Sequence, residues 1–218
     1  MKAPLARPSP ERAELRIISC LFRACFLGLL GAATVACADE ASNPRQWTSP
    51  DGRKLAFLRT NPKAIDTGLG APQGGRPQVD LWISNADGTN ARLLLRGTGT
   101  RMPETNLSGI EQAAFSPDGR TLYFQTAAWL TSPAIHAVDI PSGRQHLVTN
   151  GWLNHVVAGG RFKGNLVVHQ HRHFVDAGTY DWYWLLTKEG KDVGPVGPIE
   201  GDPSVVRNLK DFQEDDER

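Results

Sequence analysis

A nine-residue phrase occurs twice in the chain: residues 49–57 read SPDGRKLAF and residues 116–124 read SPDGRTLYF. Each copy is a tight turn followed by an apolar run. Pro presets φ at the second turn position, Asp bonds nearby backbone, and Gly accepts the left-handed conformation that closes a hairpin. The segments behind the two copies match as well. VDLWISNADGTNARLL (79–94) and AIHAVDIPSGRQHLV (134–148) each read as a strand, a Gly turn and a second strand. A third, degenerate copy runs through GGRFKGNLVVHQ (159–170) and YDWYWLLTKEGKDVGPVG (180–197).

The glycines measure the repeat. First-turn Gly52, Gly119 and Gly164 are 67 and 45 residues apart, and second-turn Gly88, Gly143 and Gly190 follow them by 36, 24 and 26. The longer interval carries 12 extra residues inside the first copy and 10 between copies, so the underlying period is about 45. Four-stranded propeller blades repeat at about 40–45 residues. Leu122-Tyr-Phe124 and Leu166-Val-Val168 are apolar without alternation, as strands buried on both faces require. The expected fold is all-β: a partial β-propeller of about three four-stranded antiparallel blades, at about 45–96, 110–149 and 155–197 within a domain spanning 38–197. Residues 198–218 form a tail. Asp202-Pro203 opens a short C-terminal helix there, with Val205, Leu209 and Phe212 on one face.

The phrase SPDGR followed by alternate apolar positions, together with DLWISNADGTNARLL (80–94), resembles the WD40-like repeat of TolB-type β-propellers. The same repeat builds the propellers of prolyl-oligopeptidase-like enzymes. The resemblance covers about 47–148 through its motifs and 155–197 through spacing, because Arg161-Phe-Lys-Gly164 replaces the Ser-Pro-Asp-Gly turn. It implies the propeller fold and a bacterial envelope setting, and it names no activity.

Residues 1–37 read as an export leader. Lys2, Arg7, Arg12 and Arg16 precede the 13-residue apolar run Ala24–Ala36. Ala36-Cys37-Ala38 suits a small-residue cleavage site, while Thr34-Val-Ala-Cys37 resembles a lipobox that would lipidate Cys37. A retained anchor over 17–36 would have to bury Arg23 in hydrocarbon. After Cys37 the chain has no cysteine, so no disulfide or thiolate metal site is expected in the folded part. The mature portion keeps 19 basic against 21 acidic residues, a net charge of −2. That balance offers no field for a nucleic-acid backbone. Membrane association is expected only through the leader or a lipid on Cys37, and the expected location is the periplasm or cell envelope.

Three blades leave two sheet faces uncovered, since propellers close with about 4–8. A homodimer or an envelope protein partner is therefore expected. The A–B and C–D turns of every blade are minimal. The insertions Thr60–Gln78, Gly97–Gly109, Ala127–Pro133 and Val175–Thr179 all fall at the opposite end, the expected working face. Binding candidates near it are Trp129, Arg172, Asp176, Tyr180 and Asp181, as aromatic and charged side chains that could hold a peptide, a sugar or an aromatic ligand. His169, His171 and His173 share one strand face and suit Zn²⁺ or Cu²⁺ in neighbouring pairs. The outer two lie about 13 Å apart along the strand, too far to share one ion.

No G-x-S-x-G, H-E-x-x-H, P-loop or G-x-G-x-x-G motif occurs. A separate hydrolase domain of the prolyl-oligopeptidase kind is not expected in 218 residues. The favoured reading is an exported, non-enzymatic, protein-binding propeller that needs no cofactor. The alternative is a metal- or small-molecule-binding protein, a hydrolase or lyase in the enzymatic case, built on the three histidines.

Overall fold

The computed structural model describes residues 45–129, 132–173 and 178–198, all within the compact unit Glu40–Arg218. The leader, Cys37, Asp176 and the expected C-terminal helix lie outside the described residues. Twelve strands form three antiparallel sheets of four, each in sequential order. The first holds β1 (Gln46–Thr48), β2 (Lys54–Asp66), β3 (Arg76–Asn85) and β4 (Arg92–Leu95). The second holds β5 (Ala113–Phe115), β6 (Thr121–Thr126), β7 (Ala134–Asp139) and β8 (Gln145–Asn150). The third holds β9 (Trp152–Val156), β10 (Leu166–His173), β11 (Thr179–Leu186) and β12 (Asp192–Pro198), so it starts three residues ahead of 155. A 3₁₀ turn at Gly160–Phe162 is the one helical element among the described residues. β1 lies beside β5 and β5 beside β9. The first strands of successive sheets are thus neighbours, the arrangement of propeller blades radiating from a common centre.

The repeated phrase folds the same way twice. Asp51 Oδ1 accepts the Ser49 hydroxyl at 2.6 Å and the Arg53 amide at 3.1 Å, and Lys54 N donates to Ser49 Oγ at 2.9 Å. Asp118 repeats this with Ser116, Arg120 and Thr121 at 2.6, 3.0 and 2.9 Å. Gly52 and Gly119 have φ of 69° and 66°, the left-handed conformation the turn demands. The hydroxyl of Ser49, followed by the Arg53 amide, holds the Asp51 carboxyl below its ordinary range. Ser116 and the Arg120 amide do the same for Asp118.

The apolar triplets pack on both sides. Leu122 and Phe124 meet Ala56, Leu81 and Ile83 of the first blade. Tyr123 between them points the other way and meets Leu153, Leu166, Val168 and Leu186 of the third. Each such fully buried Leu or Phe contributes about 1.5–3 kcal/mol. On the third blade, Val167 and Leu185 occupy the opposite face with Val157 and Val196.

His136 is a polar exception inside the first seam. It is fully buried, stacked on Phe124 at 5.5 Å, with Nδ1 3.2 Å from Gln145 Oε1 and no partner for Nε2. Burial lowers its pKa from the ordinary 6.5, and the Gln145 bond only partly offsets this. The unfolded chain therefore takes up a proton near pH 6.5 that the folded chain refuses. Stability is expected to be full above about pH 7 and to fall as the pH drops from 6.5 toward the folded-state value. Urea titrations at pH 7.5 and 5.5 on wild type and His136→Phe measure this. An equal loss in both proteins would assign the pH dependence to other groups.

Candidate functional site

The first-blade insertion, expected as a loop, is largely strand. β2 continues to Asp66 and β3 starts at Arg76, with a register shift between Asn61 and Ile65. The result is a ribbon that projects past the blade. Its tip lies on the Gly97–Gly109 connection, where Leu69 N donates to Thr100 O at 3.1 Å. Gly68 and Gly99 meet backbone to backbone, and a Cβ on either would collide with the other. The same crowding holds between Gly70 and the Ala127 side chain.

Asp66 organises this contact. It is 3% exposed; Oδ1 accepts the Gly68 amide at 3.0 Å and Oδ2 accepts the Ser108 hydroxyl at 2.5 Å. Arg76 Nε lies 3.6 Å from Oδ2, and Arg76 Nη2 donates to Ser108 Oγ at 3.1 Å. Asn106, 0% exposed, accepts the Thr100 amide at 2.9 Å and donates Nδ2 to Ala127 O at 2.5 Å. Ala127 N in turn donates to Ser108 O at 2.9 Å. Insertions from blade one, from the connection and from blade two are thereby tied into one clasp. Asn106-Leu-Ser108 has the form of a glycosylation sequon, yet its Asn and Ser side chains are buried structural members. Sequence reasoning singled out neither Asp66 nor Arg76, and it marked Asn106 and Ser108 only as a sequon match. The one signal for them was the pair Gly68-Leu-Gly70 and Gly97-Thr-Gly99 in insertions at the same end.

The clasp displays apolar side chains outward. Among the described residues the exposed large hydrophobics are Ile65 at 56%, Met102 at 61%, Trp129 at 47% and Val193 at 45%. The first three stand one on each clasp member. Trp129 is held by its backbone amide, which donates to Ser132 O at 3.0 Å.

The remaining candidates divide between two faces of the third blade. His169, His171 and His173 on β10 stand opposite Tyr183, Asp181 and Thr179 on β11. Asp181 Oδ1 lies 3.2 Å from His169 Nε2 and 3.1 Å from His171 Nδ1. Burial pushes the Asp181 carboxyl up, but the hydrogen bonds from the two imidazoles outweigh it and hold the group below its ordinary range. Trp152 stacks on His169 at 4.5 Å, and His173 sits edge-on to His171 at 5.5 Å. Among the described residues no group of three or more His, Cys, Asp or Glu is arranged to hold a metal ion.

Arg172 and Tyr180 lie on the opposite face, since Arg172 pairs with Tyr180 and Gln170 with Trp182. Arg172 donates to both oxygens of Asp192 at 2.8 and 2.7 Å and stands 3.5 Å over the Trp184 ring. Its Nε also donates to Gln170 Oε1 at 2.9 Å. Tyr180 is edge-on to Trp182 at 5.7 Å. Arg172 and Asp181, both expected among the binding candidates, therefore lie on different faces of the blade. Arg172 is part of a structural ion pair.

No protein-family model matches the chain, and no curated protein is similar to it in sequence. Solved structures with a similar fold include TolB from Acinetobacter baumannii, 14% identical, with a TM-score of 0.48 over 73% of this chain and 33% of that one. The β-propeller domain of the Trilobed protease from Pyrococcus furiosus is also 14% identical, with a TM-score of 0.44 over 72% of this chain and 42% of its own. Dipeptidyl peptidase 4 from Porphyromonas gingivalis is 15% identical, with a TM-score of 0.46 over 72% and 24%. The chain spans less than half the length of each. Its fold is assigned from its own three sheets.

Proposed function

We propose that the chain is an exported, non-enzymatic propeller protein of the bacterial cell envelope that binds another protein through its elaborated end. One observation carries the reading: three insertions are locked by a buried polar clasp, and each presents a large exposed apolar side chain, Ile65, Met102 and Trp129. Protein interfaces draw most of their binding energy from a few such anchors, and a preorganised surface loses little entropy on binding. The leader supports export, and no helix among the described residues is long and apolar enough to cross a membrane.

The test compares the wild-type chain with an Ile65→Ser, Met102→Ser, Trp129→Ser variant as bait in envelope extracts. The expected result is a partner retained by wild type and reduced at least tenfold with the variant, whose melting temperature stays within a few degrees. Equal capture by both would overturn the assignment of this surface. Light scattering on the purified chain distinguishes a second copy, seen as a dimer, from a different envelope protein.

A further inference from the structure

The minimal-turn end carries a feature the binding surface does not use. A cleft of about 260 Å³ lies between the first and second blades, lined by Asp51, Lys54, Arg92, Asp118, Arg120 and Ile140 among others. The two SPDG turns bring their charged residues to its two sides. Both carboxylates are already engaged: Asp51 with Ser49 and the Arg53 amide, Asp118 with Ser116 and the Arg120 amide. Among the described residues, none of Lys54, Arg92 and Arg120 has a carboxylate within ion-pair distance. Arg92 is nonetheless fixed, because its Nη2 crosses the seam to donate to Ile140 O at 2.6 Å.

Among the residues that line the cleft, three cations against two carboxylates leave one surplus positive charge in a partly enclosed space, and Asp139, outside the lining, also draws on Arg120. A monoanion cancels that surplus, whereas a dianion overshoots it beside two fixed carboxylates. A guanidinium offers several N–H groups in a planar fork, so Arg92 anchored through one of them still has donors that match a carboxylate. Ile140 and Pro141 supply an apolar wall for a short carbon chain.

We propose that this cleft is a binding site for a monocarboxylate with a short apolar tail, independent of the protein-binding end. A free small acid and the C-terminal carboxylate of a peptide share this chemistry. The experiment is an NMR titration of the full chain, following the Arg92 and Arg120 side-chain Nε–H signals. The probes are butyrate, N-acetyl-Gly-Val as the free acid, and its C-terminal amide, all at constant ionic strength. The expected result is saturable movement of both signals with butyrate or the free-acid dipeptide and none with the amide. Tighter binding of the dipeptide identifies a peptide terminus as the ligand, and tighter binding of butyrate a free acid. Lys54→Gln/Arg120→Gln changes two exposed side chains, so the melt should be unaltered while binding, followed at Arg92, weakens about tenfold. The same movement with the amide or with chloride, or an unchanged affinity in the double variant, would overturn the proposal.

Discussion

Asp66→Ala is expected to destabilise the protein by about 3 kcal/mol, because it strands the Ser108 hydroxyl, the Gly68 amide and the Arg76 guanidinium together. The cost is that of buried groups losing their acceptor, since Asp66 and Ser108 are both out of water. Arg76 is partly exposed and recovers some hydration, which keeps the figure below the upper range for a broken buried pair. For a domain of this size about 3 kcal/mol lowers the melting temperature by roughly 6–12 °C. Asp66→Asn keeps one acceptor oxygen and should lose less. Partner capture by the elaborated end should fall in parallel with the melt, because the clasp positions Ile65, Met102 and Trp129. A melting temperature within 2 °C of wild type would show that the network does not hold the insertions together.

The second large effect is expected at Gly99. A Cβ there would collide with Gly68 backbone and with Asp66 Oδ1. Backbone cannot swing aside as a side chain does, so Gly99→Ala should open the clasp at a cost of about 3 kcal/mol, the upper end for overpacking. Gly119→Ala is the control. Nothing lies within 4 Å of a Cβ at Gly119, and its φ of 66° is the sole strain, which costs about 1–2 kcal/mol. Chemical denaturation of the two variants should rank them in that order, with loss of partner capture confined to Gly99→Ala. The reverse ranking would mean that the ribbon tip relaxes away from the connection without penalty.

Much of the architecture was legible because its causes are local. A Ser-Pro-Asp-Gly turn closes through bonds among residues 49–54 or 116–121, so its chemistry is written in six consecutive letters. The triplet Leu122-Tyr-Phe124 announced burial on both sides, and the two seams receive its alternate members. Period two also separates Arg172 from His171 and His173. Which residues of β10 those of β11 face is not visible within one strand, and cross-strand pairing sets Asp181 opposite His171 and Tyr180 opposite Arg172.

The site was legible only as an end of the molecule. Turn lengths showed that Thr60–Gln78, Gly97–Gly109 and Ala127–Pro133 belong together. They did not show that Asp66 meets Ser108 across 42 positions or that Asn106 meets Ala127 across 21. Nothing local in the sequence marks Asp66, and Asn106 stands out there only as part of a sequon.

By itself, then, the sequence determined the blade unit: its turns, its strand faces and its period, all governed by interactions a few residues apart. Tertiary structure alone decided that the insertions form one clasp and that Asp181 joins the histidines rather than Arg172. It also decided that the two repeated turns frame a cationic cleft. Those contacts join residues tens of positions apart, and whether a polar side chain is buried among partners or left in water depends on how whole sheets stack.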